Sequence, residues 1–143
     1  MFKLSRQYLY SSLAALTPHA AGLVVFLLAL MPGALAADGL RLLMVERPGC
    51  YYCVVFKRDV APIYEKAEEG RLAPLVHYDL RNPLPDDITL TSRAHVTPTF
   101  ILLDADGQEL DRLTGYPGDD FFWPYVNGMI SRAIEAGSDQ PGT

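Results

Sequence analysis

Only two cysteines, Cys50 and Cys53, occur among the 143 residues. That excludes the dense disulfide framework by which small exported domains compensate for a thin core. A bridge between these two would close too short a loop to stabilise the chain much through entropy. Basic charge is scarce: 12 Lys and Arg stand against 17 Asp and Glu, a formal net charge of −5. No basic footprint for nucleic acid is therefore present. A membrane-spanning apolar run is missing as well. The main apolar stretch, Ala20 to Met31, has 12 residues, short of the ~20 that cross a bilayer, and Pro32-Gly33 interrupts any extension. No internal repeat or low-complexity tract is found. The length suits one domain rather than two, and half the residues are apolar, enough for a core.

Acidic residues are also absent before Asp38. Lys3 and Arg6 form a positive start, the apolar stretch follows, and Ala34-Leu35-Ala36 supplies a small-residue cleavage pattern. This order predicts a signal peptide over 1–36 and an exported, periplasmic domain over 37–143. A retained membrane anchor is the competing reading. Cleavage would remove Lys3 and Arg6 and leave 10 basic against 17 acidic side chains, a net charge of −7. A protein partner is expected rather than a polyanion.

Leu40 to Glu46 is a mostly apolar run that suits a buried central strand, stopped by Arg47-Pro48-Gly49. From Cys50 the spacing turns helical, with Pro62 predicted to kink or break the helix and Gly70 to end a second helical run over 63–69. Leu75 to Leu80 reads as a second strand. Asn82 to Pro85 reads as a loop, with Asp86-Asp87 capping a short helix that reaches about Arg93. Thr99 to Leu103 is a third strand, Asp104 to Gly107 a tight hairpin turn, and Gln108 to Thr114 a fourth strand that places Leu110 and Leu113 near the core. A last helix, capped by Asp119 or Asp120, runs to about Ala136 with Pro124 near its first turn and Phe121, Phe122 and Trp123 as its packing face. The order implies an α/β fold: a mixed sheet with helices on both faces.

The cysteines fall between the first strand and the first helix. There, unpaired N–H groups and the helix dipole favour a thiolate at Cys50, and Cys53 follows one turn later. Alone, this spacing also suits a zinc site. A second motif, Val96-Thr97-Pro98-Thr99-Phe100, precedes the third strand. Together the two motifs resemble the thioredoxin superfamily over residues 38–136. The resemblance implies a thioredoxin fold, a central mixed sheet flanked by helices. It also implies thiol–disulfide exchange with Cys50 as nucleophile and Cys53 as resolving thiol. Pro98 would be the superfamily's cis-proline facing the cysteines, and the backbone of Thr97 would pair with a substrate chain. No cofactor beyond a Cys50–Cys53 disulfide is implied.

Departures from cytoplasmic thioredoxin narrow the likeness. Gly49 replaces the tryptophan before the first cysteine, and Met44 stands near the place of its buried acid. Glu46 is the closest acidic alternative as proton acceptor, or else a solvated strand end. Tyr51-Tyr52 between the cysteines resembles periplasmic disulfide isomerases and glutaredoxins, and these two tyrosines join Thr97 and Pro98 as candidate substrate contacts. The fragment Pro48 to Cys53 is most similar to the SoxS-type periplasmic thioredoxins of sulfur-oxidation clusters, which reduce a cysteine on the sulfur-carrier protein. The expected activity is a monomeric reductase of a partner protein's thiol or disulfide, itself re-reduced by an inner-membrane thiol donor. A disulfide isomerase or oxidase is the alternative within the class. A copper chaperone using the Cys pair and a histidine is the alternative outside it. His95, just before the proline loop, is a candidate neighbour of Cys50 or a solvent-facing residue, and His77 reads as structural.

Overall fold

A computed structural model describes residues 39–138. The expected signal peptide, 1–36, and the tail from 139 lie outside the described residues. Strand β1 (Arg41–Glu46) is central because its side chains are apolar on both faces of the pleat. It pairs in parallel with β2 (Leu75–Asp79) and antiparallel with β3 (Thr99–Leu103), and β3 pairs antiparallel with β4 (Glu109–Thr114). The order is β2-β1-β3-β4. This is the expected mixed sheet, flanked by helices α1 (Tyr51–Asp59), α2 (Ala61–Tyr64), α3 (Glu68–Leu72) and α4 (Asp119–Ser138).

Because side chains alternate along a strand, Leu42, Met44, Phe100, Leu102 and Leu113 share one face. The helices supply Phe56, Tyr64, Phe122 and Met129 to the same cluster. Its centre is aromatic: the Phe56 ring lies 4.6 Å from Phe100 and 5.0 Å from Phe122. On the other face Leu43, Val45, Ile101 and Leu103 are covered by Ile88 and Ala94, with Leu80, Leu84 and Leu90 packed beside them. All five of these covering residues belong to the irregular segment 80–98, not to a helix.

The helix expected over 86–93 is thus absent, and with it the helix on this second face. The backbone there is committed elsewhere. Thr89 N–H donates to Gly107 O at 2.9 Å and Thr89 O accepts from Glu109 N–H at 3.0 Å. Thr91 N–H bonds the Glu109 carboxylate at 2.8 Å, and Arg112 donates to Ser92 O. These cross-links, most of them made by the β-branched Thr89 and Thr91 with their weak helical preference, hold the segment against β4.

Five smaller expectations are corrected. Leu110 is 47% exposed, because an odd offset from Leu113 puts the two on opposite faces of β4. Gly70 sits inside α3 instead of ending a helix. A Cβ there would lie 1.9 Å from Tyr64 O, so this glycine permits the close approach of α3 to the end of α2. Asp119 and Asp120 occupy the first turn of α4 and complement its dipole, while Gly118 O accepts the first bonds, from the N–H groups of Phe121 and Phe122. Pro124 lies past that turn. Consecutive helical residues fan by about 100°, so Phe122 is buried while Phe121 is 68% exposed.

Candidate active site

Strand β1 ends at Glu46, and the turn 47–49 delivers the chain to α1. Gly49 makes that turn with φ +76°, a region that side chains with a Cβ avoid. Cys50 is the N-cap of α1, in extended conformation, and its Sγ accepts the Cys53 backbone N–H at 3.2 Å. The two cysteines are joined by a disulfide, with Cα atoms 5.3 Å apart. Exposure separates them. Cys50 is 7% exposed and Cys53 only 1%, at the edge of the aromatic core. No acidic residue lies in the first turn of α1, so nothing opposes the dipole that favours an anionic sulfur at Cys50.

Tyr51 and Tyr52 project from the first turn, both exposed, with their rings 5.3 Å apart edge to face. Antiparallel pairing sets Val45 opposite Thr99. Thr97 and Pro98, immediately before Thr99, therefore stand at the sheet edge where β1 hands over to the cysteines. The Thr97–Pro98 peptide bond is cis. Pro98 is buried and Thr97 half-buried. Thr99 Oγ1 donates to Val96 O at 2.8 Å, and Pro98 O accepts Gly115 N–H at 2.9 Å, which ties this turn to the end of β4.

The matching family model is that of thioredoxin-like domains, which covers residues 33–129. The chain belongs to this thioredoxin-like family. It is similar to the periplasmic thioredoxin SoxS from Paracoccus pantotrophus in its reduced form, with 47% identity, a TM-score of 0.64, and coverage of 66% of this chain and 98% of that one. A thioredoxin-fold protein from Helicobacter pylori also aligns, at 17% identity and TM-score 0.43, over 73% of this chain and 87% of the other. No curated protein sequence matches. As a thioredoxin-like protein carrying a Cys50–Cys53 C-x-x-C pair, the chain is a thiol–disulfide oxidoreductase. Proteins of this kind act on protein thiols or disulfides.

The remaining charged candidates of this thioredoxin-like domain fall in two places. Glu46 is neither free nor solvated. Its side chain is 17% exposed, and it accepts from Lys57 Nζ at 2.5 Å and meets His77 Nδ1 at 3.1 Å. Sequence reading missed this clamp. The clamp depends on the register, which sets Met44 beside His77 and Glu46 two residues further along the same face. Lys57 comes from α1, one turn after Cys53. His95 is exposed and has no hydrogen bond or ion pair among the described residues. At the same sheet edge Arg81 grips Asp79 and lowers its carboxyl to about 2. Among the described residues, no group of three or more His, Cys, Asp and Glu is placed to hold a metal ion. No helix there is long and apolar enough to cross a membrane.

Proposed function

We propose that this thioredoxin-like protein is a periplasmic reductase of a partner protein. Residues 1–36 would act as the signal peptide, and residues 37–143 as the exported monomeric domain. The reading rests on one observation above all: Cys50 caps the helix while Cys53 is covered one turn below it. The 47% identity to a periplasmic thioredoxin supports the compartment.

In the dithiol form the Cys50 thiolate attacks one sulfur of a substrate disulfide. The substrate S–S bond breaks, and the departing sulfur takes up a proton as a thiol. Cys53 then gives up its proton as its sulfur attacks Cys50, which releases the second substrate sulfur and leaves the Cys50–Cys53 disulfide. Two electrons have passed to the substrate. An inner-membrane thiol donor would return them. Thr97 backbone groups and Pro98 form the edge along which the substrate chain lies, and the exposed rings of Tyr51 and Tyr52 flank it. The likeness of Pro48 to Cys53 to the SoxS type makes the sulfur-carrier protein of a sulfur-oxidation system the partner of choice.

The deciding measurement is the reduction potential of the purified protein in glutathione or dithiothreitol buffers. A value near about −270 mV fits a reductase. A value between about −180 and −120 mV would transfer the assignment to an isomerase or oxidase, the reading favoured by Tyr52 before the second cysteine and Thr97 before the proline.

A further inference from the structure

Across the sheet from the cysteines, segment 80–98 covers the second face without filling it. A cavity of about 420 Å³ remains at the carboxyl end of β2. Its floor and walls are apolar: Tyr78, Leu80, Leu84, Leu90 and Ala94. Two polar side chains stand at its rim, Arg93 and Asn82.

Most cations of the described domain have a carboxylate partner: Arg41 with Asp87, Lys57 with Glu46, Arg58 with Asp59, Arg81 with Asp79, Arg112 with Glu109 and Arg132 with Asp111. The Arg93 guanidinium has no hydrogen-bond or ion-pair partner among the described residues. The Arg47 and Lys66 side chains are likewise unpaired among the described residues, but of the three only Arg93 lines this apolar cavity. Guanidinium donors match the two oxygens of a carboxylate, and an apolar lining with a few placed polar groups is the usual form of a small-molecule site.

We infer that this cavity is a second, ligand-binding site for a small monocarboxylate with an apolar tail. The tail would occupy the Leu80–Leu84–Leu90 side, and the carboxylate would meet Arg93 with the Asn82 amide beside it. Ala94 precedes Thr97 by three residues, so the ligand would rest on the strap that leads into the cysteine site.

The test is an amide chemical-shift titration of the isotope-labelled chain with octanoate, with octan-1-ol as a neutral control and Arg93→Gln as the variant. Saturable shifts grouped over residues 78–94 are expected, with octanoate bound about tenfold more tightly than octanol. Arg93→Gln should abolish that difference while leaving octanol binding and the thiol-exchange rate unchanged. Absence of saturable shifts with octanoate, shifts centred elsewhere, or equal octanoate binding by Arg93→Gln would overturn the inference. So would saturation by an acidic apolar peptide in the absence of any octanoate response.

Discussion

Cys50 Sγ receives the backbone N–H of Cys53 at 3.2 Å, so the sulfur of the less buried cysteine is held by the turn that buries its partner. The same hydrogen bond favours a thiolate at Cys50 once the disulfide is reduced. Cys50→Ser should therefore reduce exchange to the uncatalysed background in an insulin-reduction assay. Cys53→Ser should retain the first attack and accumulate a mixed disulfide, read as a gel shift reversed by dithiothreitol. Wild-type turnover by Cys50→Ser would remove the mechanism.

Glu46 fastens three elements: its own strand, α1 through Lys57 and β2 through His77. Glu46→Gln leaves Lys57 facing His77 with no anion between them. Because Lys57 is 44% exposed, solvent screens much of the pair, and the expected cost is about 1 kcal/mol. A fall in the urea midpoint with an unchanged slope would show it.

Gly70→Ala places a methyl group within 1.9 Å of Tyr64 O. Backbone must move, and α3 must withdraw from α2. A loss of about 2 kcal/mol is expected. A thermal scan that leaves the variant as stable as the parent would show that the contact relaxes freely.

Acid sensitivity has a defined origin at Glu109, whose carboxylate is 5% exposed and binds Arg112 and the Thr91 N–H. Burial pushes its carboxyl up, but these donors together outweigh burial and hold it below its ordinary value. A folded-state value below the unfolded one means stability that is present above the ordinary carboxylate range and lost as pH falls through it. Asp79, lowered to about 2 by Arg81, acts in the same direction further into acid. Urea midpoints should fall from neutral pH toward pH ~3, and Glu109→Gln should flatten the first part of that fall.

Much of this was legible in the chain. Cys50 and Cys53 at the junction of an apolar strand and a helix, with Thr97-Pro98 ahead of a β-branched strand, carried both fold and chemistry, because spacing, capping and the two-residue period are local properties. The hairpin at Asp104–Gly107 and the break at Pro62 followed from the same local rules. The segment 80–98 did not. Asp86 to Arg93 has the composition of a short capped helix, yet its backbone bonds go to Gly107, Glu109 and Arg112, residues distant in sequence.

By itself, then, the sequence determined the order of elements, the placement of the cysteine pair at a helix start and the family to which the chain belongs. Tertiary structure alone decided that Glu46 is clamped by Lys57 and His77, that Gly70 serves packing and not termination, and that a cavity rimmed by Arg93 remains under the strap. Each of these depends on which distant groups meet across the sheet, and a hydrogen bond or close contact between remote residues leaves no periodic trace in the chain.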